Sequence, residues 1–303
     1  MKKLISIIPL LAIIAGFTLL TLSSCKKDKN EDPPAVKSYR MTGVNYTEDG
    51  DLYAMKFSYN SSNKITKITE TYNGMEYYRN EWTWNANVAT VTEAYMDENG
   101  VWTNREYYEK VTYLNEHVSS ADIYKGDSLL ASHNYIWNGS KIISESMSLI
   151  SADTVLQAYN INYTYEGDLL MKAEWLSGGL PLQKQVIEYT DGKPVSMKNY
   201  DASNNLIEST EFIHTGNNIT KINSFSVVDG VQGDIHCTED RIFDANNCAT
   251  SISTNCTGEG TFTQTATFEE GKGNINDFLL TQVSWISIYL FPDNFPSEYA
   301  YKK

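Results

Sequence analysis

Histidine and cysteine are scarce, at four of each in 303 residues. The histidines, His117, His133, His214 and His236, are never spaced as on a zinc-binding helix. Cys237, Cys248 and Cys256 lack the C-x-x-C spacing of a metal knuckle, so neither metal nor cofactor is expected. His236 and Cys237 are adjacent, and neighbours in a strand point to opposite faces, so they do not read as a nucleophilic pair. G-x-S-x-G elbows, P-loops and dinucleotide-binding glycine patterns are all missing. Cations are outnumbered, with 24 Lys and Arg against 38 Asp and Glu and a formal net charge of −14. That balance excludes the phosphate neutralisation behind non-specific nucleic-acid binding. After residue 24 no apolar run has helical spacing, and no Pro-rich or Gly/Ser-rich stretch divides the chain after residue 38.

Aromatic side chains are abundant, with 21 Tyr, 10 Phe and 6 Trp. They recur in one pattern, shown by Phe57-Ser58-Tyr59-Asn60-Ser61-Ser62-Asn63-Lys64-Ile65-Thr66-Lys67-Ile68. Two aromatics two residues apart share a face of a strand. Asn, Asp, Gly and Ser follow and make a turn, and a second strand resumes with aliphatics. Related units occur around Trp84, Tyr113, Trp137, Tyr165, Tyr189, Phe212, Phe243 and Phe268, at intervals of 23 to 31 residues. A period in that range marks stacked supersecondary units, here β-hairpins. Asn73-Gly74, Asn138-Gly139 and Asp191-Gly192 add strong hairpin signals.

The core Phe57-x-Tyr59-Asn60-x-x-Asn63-Lys64-Ile65 resembles the YD repeat of Rhs-type proteins, although Arg never follows the turn. The chain is also similar to repeat-bearing surface lipoproteins of Bacteroidota. These resemblances imply an antiparallel meander and no defined chemistry. The fold expected is all-β, a long antiparallel meander of repeated hairpins with roughly 16–20 strands, curled or self-packed to hide its wet face and open edges.

Residues 1–24 read as a lipoprotein signal peptide. Lys2 and Lys3 precede an apolar stretch that ends at Leu22-Ser23-Ser24-Cys25, which resembles a bacterial lipobox. The resemblance implies lipid attachment at Cys25 and cleavage just before it. Residues 25–38, with Pro33-Pro34 and many charges, read as a flexible tether. Residues 39–303 are expected to form the repeat domain, on an outer-membrane lipoprotein that is either periplasmic or surface-exposed. Phe278–Leu280 and Val283–Phe291 read as apolar strands near its end.

Candidate sites are few. Cys237 and Cys256 are expected to pair across the turn around Asp244–Asn247, leaving Cys248 near the turn. Trp102 and Trp175 flank turns and are the aromatics best placed for exposure and ligand stacking. Glu70, Glu76, Glu81, Glu93, Asp97 and Glu98 read as solvated strand or turn residues. The function expected is a non-enzymatic, lipid-anchored envelope protein that binds a glycan, a peptide or a partner protein. The alternatives are a structural or assembly component of the envelope, and a hydrolase such as a glycosidase, which needs two carboxylates across a cleft. A transmembrane barrel is disfavoured by charges on both strand faces.

Overall fold

The structure is a computed structural model that describes residues 39–48, 51–97, 99–115, 117–151, 154–258 and 260–271. The expected lipid attachment at Cys25, the tether and the apolar strands at 278–291 lie outside the described residues. Within them the chain is all strand and turn. The first nine strands are β1 (Tyr39–Glu48), β2 (Asp51–Tyr59), β3 (Ile65–Tyr72), β4 (Met75–Asn85), β5 (Val88–Met96), β6 (Trp102–Leu114), β7 (His117–Lys125), β8 (Ser128–Asn138) and β9 (Lys141–Ser151). The rest are β10 (Thr154–Glu166), β11 (Leu169–Ser177), β12 (Leu180–Thr190), β13 (Lys193–Asp201), β14 (Leu206–Thr215), β15 (Asn218–Val228), β16 (Val231–Phe243), β17 (Ala249–Cys256) and β18 (Gly260–Glu270).

Each strand pairs antiparallel with its predecessor and its successor. The first also pairs with the last, from Tyr39 opposite Glu270 to Tyr46 opposite Gln264. The 18-stranded sheet is therefore closed. This corrects the expectation of a curled or self-packed sheet with edges. Closure removes the two rows of unpaired main-chain groups that β1 and β18 would otherwise present. The chain enters and leaves at one end of the barrel, here the entry end, and the turns alternate between it and the far end.

The spacing aliphatic-x-x-aliphatic would flip faces in a regular strand, because the side-chain period is two. A bulge resolves this. Tyr59 faces Ile65 while Phe57 faces Ile68, and the register shifts between Ser58 and Tyr59, so both isoleucines turn inward and are fully buried. The same shift occurs beside Tyr113, Trp137, Tyr165, Tyr189, His214 and Phe243. Of the entry-end hairpins only β4–β5 lacks it, and there Ala89 and Val91 face Trp84 and Trp82 directly.

Four turns share one build. Asn60, Asp97, Asp201 and Asp244 each accept, through a side-chain oxygen, the main-chain N–H groups two and four residues on. The fourth residue of each, Asn63, Gly100, Asn204 or Asn247, has φ between 61° and 77°, which Asn and Gly tolerate. Asp97 is thus occupied as a turn cap.

The buried face is mainly aliphatic and aromatic, with Ile65, Ile68, Val91, Val111, Val118 and Trp82 at its core. The outer wall carries charge at mid-strand. Lys172 pairs with Glu174 at 2.9 Å, Lys198 with Glu188 at 3.2 Å, and Lys221 with Asp240 at 3.3 Å.

Candidate functional site

The densest chemistry lies on the inner wall of β4–β10. It was not anticipated from sequence, and Glu93, read as solvated, is in fact 5 % exposed. The reason is alternation. Glu93 follows Ala89 and Val91 on the inward face of β5, and Glu109 precedes Val111 and Tyr113 on that of β6. His133 stands likewise between Ala131 and Tyr135. A polar residue in register with buried apolar ones is the signal that would have found all three.

His133 is clamped. Its Nε2 lies 2.9 Å from Glu145 Oε2, and its Nδ1 lies 2.8 Å from the Tyr135 hydroxyl. Tyr163 donates its hydroxyl to the other Glu145 oxygen at 2.5 Å. Burial and the charge of Glu145 raise the Tyr135 phenol well above its usual range, so it stays protonated. With the Glu145 carboxylate as acceptor, Nε2–H is the donor to it, and in the neutral imidazole Nδ1 then accepts from the Tyr135 hydroxyl. The four groups span β8, β9 and β10 and saturate one another. Exposures of 2 % for His133, 5 % for Tyr135 and 7 % for Glu145 place all three within the core. The relay is a polar brace within the core.

Glu93 meets Arg105 at 3.1 Å, yet its carboxyl is raised, first by burial and against the pull of Arg105. Glu109 is more extreme. It sits between Val91 and Ile123, its Oε2 meets no hydrogen-bond donor, and burial drives its carboxyl well above the ordinary range. Glu70 is raised by burial while accepting the Tyr77 hydroxyl. Among the described residues no group of three or more His, Cys, Asp or Glu is arranged to hold a metal.

The two tryptophans do not form one platform. Trp102 stands on the outer wall, with the Arg79 guanidinium 4.3 Å from its ring centroid. Trp175 faces Ile161 and lies on the inner wall with Ala173. Cys237 and Cys256 are directly opposite on β16 and β17, with Cα atoms 4.1 Å apart, and are joined in a disulfide. Cys248 is a free thiol at the end of the Asp244 turn.

No known protein family and no curated protein matches the chain. Similar solved structures include a porin-like protein from Bacteroides uniformis, 10 % identical with a TM-score of 0.44, matched over 76 % of this chain and 98 % of that one. A porin-like protein from Bacteroides vulgatus is 9 % identical with a TM-score of 0.37, over the same shares. The TcdB2-TccC3 structure is 11 % identical with a TM-score of 0.16, and the match spans 15 % of that chain. Likenesses this distant carry no argument about what the chain does.

The wall itself carries one. A lipid-facing barrel wall needs an apolar band, and a Lys or Arg at the bilayer midplane costs about 2–4 kcal/mol. Here ion pairs such as Lys198–Glu188 and Lys221–Asp240 stand at mid-strand on the outside, interspersed with exposed aliphatics such as Ile136, Ile213 and Ile242, while most of the large apolar side chains of the core lie within. Charge at mid-strand breaks the continuous apolar band that such a wall needs. The described residues contain no helix long and apolar enough to cross a membrane.

Proposed function

We propose that this chain is a non-enzymatic binding protein of the cell envelope, a water-facing β-barrel tethered to a membrane through lipid on Cys25. The observation that carries the reading is the charged outer wall, because it separates membrane attachment from membrane spanning. The lipobox-like Leu22-Ser23-Ser24-Cys25 supplies the attachment. The saturated, buried relay around His133 favours binding over turnover, since its polar groups are spent on one another. The ligand class is a glycan, a peptide or a partner protein.

Fractionation of cells producing the full chain and its Cys25→Ala variant tests this. The wild type is expected in the membrane pellet and released by detergent but not by salt, with Cys25→Ala in the soluble fraction. Retention of folded Cys25→Ala in salt-washed membranes would overturn the reading in favour of a spanning barrel.

A further inference from the structure

We propose that the far rim of the barrel is a docking face for a basic, amphipathic segment of a partner protein. This deepens the binding reading above and does not depend on the anchor at Cys25. The two ends of the barrel differ in what flanks their turns. At the far end Leu180 is 71 % exposed, Met75 and Val231 67 %, Val228 66 %, Val101 57 % and Leu52 48 %. These residues lie in or within a residue or two of five different turns. At the entry end the residues flanking the turns include Asn85, Asn138, Glu166, Thr190 and Thr215. Among the described residues there, the large hydrophobics exposed beside turns are fewer, Leu114 and Ile242, with Ile136 one residue further from its turn. Nothing in a hairpin turn requires an aliphatic flank, as the entry end demonstrates. Apolar side chains gathered on one rim are surface that another molecule would cover.

Charge selects the occupant. Asp51, Asp97, Asp127, Asp201 and Asp229 sit in or beside far-end turns. Asp97 and Asp201 are held ionised by hydrogen bonds from their own turns, the first chiefly by the Val101 N–H and the second by Asn205. Among the described residues of these turns and their flanks, the single cation is Lys125, and it is paired with Glu106 at 2.6 Å. A second copy docked through this face would set acid against acid, and an anionic bilayer would be repelled. A neutral sugar would leave the aliphatics uncovered. A segment with aliphatic side chains on one side and Lys or Arg beside them satisfies both features. The overall negative charge would also steer it inward.

The test uses the full-length protein and a labelled 18-residue amphipathic helix of Leu and Lys, followed by fluorescence anisotropy. Three variants are compared after their fold is checked by circular dichroism. The apolar-rim variant carries Leu180→Asn, Val228→Asn and Val231→Asn, and the rim-charge variant carries Asp127→Asn and Asp229→Asn. The entry-end control carries Glu166→Gln and Asp191→Asn. Binding is expected to weaken at least tenfold in the apolar-rim variant, to weaken and lose salt dependence in the rim-charge variant, and to match wild type in the control. No binding, or equal binding by all four proteins, would overturn the proposal. So would rim-dependent dimers in sedimentation, which point to a second copy, or rim-dependent flotation of Cys25→Ala with phosphatidylcholine vesicles, which points to lipid. A failure here leaves the Cys25 fractionation result intact, so the two readings fall separately.

Discussion

Tyr165 donates its hydroxyl to the main-chain carbonyl of Ile142, 2.9 Å away in the preceding entry-end hairpin. The contact recurs with different chemistry. Trp84 donates to Ile65, Trp137 to Val118, Tyr189 to Leu170 and His214 to Pro194, at 2.7–2.9 Å. Tyr59 starts the series by donating to Met41 on β1. In these six hairpins the aromatic before the turn reaches a carbonyl beside the preceding register shift, so the neighbouring repeats are locked end to end. Tyr165→Phe removes one such bond with little change of shape. A loss of about 1 kcal/mol is expected, seen as a fall in Tm of roughly 2–4 °C by calorimetry. An unchanged Tm would show that the lock adds nothing.

Phe243 occupies the equivalent place before the Asp244 turn but has no donor. By the repeat rule its target would be the Ile219 carbonyl, since Ile219 pairs with His214 as Pro194 pairs with Tyr189. Phe243→Tyr is therefore expected to stabilise the protein, by roughly 0.5–1 kcal/mol in urea unfolding. A destabilised variant would mean that the final hairpin does not follow the rule.

Much of this architecture could be read from residues, and the limits have physical causes. Hairpins were legible because turn chemistry and period-two patterning are local, as at Asp191-Gly192 and Tyr163-Thr164-Tyr165. The three-residue spacing of Ile65 and Ile68 was visible, but only the register shift at Tyr59 explains it. Closure was not legible, because it depends on Tyr39 meeting Glu270 across nearly the whole described chain. An open meander has the same local pattern. The inner-wall acids were missed by weighing carboxylates as a class, when the face that Glu93 and Glu109 occupy decided their fate.

The cross-strand bond between Cys237 and Cys256 closes a loop with a sequence separation of 19. A loop of about 15 residues is worth roughly 3 kcal/mol in the chain-entropy account, so reduction is expected to lower Tm measurably. Cys248→Ser should keep the whole reduction-sensitive shift, and Cys256→Ser should abolish it. Calorimetry with and without dithiothreitol reads both, and an unchanged shift in Cys256→Ser would exclude this pairing.

Glu109 sets a pH dependence whose sign is fixed. Its carboxyl is raised in the folded state by burial, with Glu93 and Asp122 adding like charge. Below the unfolded carboxylate pKa both states are protonated and the group is neutral in its effect. Above it the unfolded chain releases the proton while the folded one keeps it, so stability falls as pH rises, by at most about 1.4 kcal/mol per pH unit for one group. Glu93 and Glu70 are raised in the same direction. Glu109→Met removes the largest of these penalties. Its urea midpoint is expected to equal or trail wild type near pH 4 and to exceed it at pH 8. A constant difference between the two proteins across that range would show that Glu109 does not titrate as described.

Both oxygens of Glu145 accept hydrogen bonds on the inner wall, one from His133 Nε2–H and the other from the Tyr163 hydroxyl. Truncation should therefore cost more than the bonds alone, because Glu145→Ala strands the buried His133 donor, at about 1–3 kcal/mol, and the half-buried Tyr163 hydroxyl as well. Glu145→Gln keeps an acceptor for one donor but turns an N–H group toward the other, so an intermediate loss is expected. The Tyr163→Phe change removes only a donor and should be the mildest of the three. Nitrogen-15 spectra of histidine-labelled protein report the cause directly. In wild type His133 should show a slowly exchanging Nε2–H and an unprotonated Nδ1, a pattern lost in Glu145→Ala. An Nδ1–H tautomer in the wild type would reverse the direction of donation in the whole relay, and with it the ranking of the three variants.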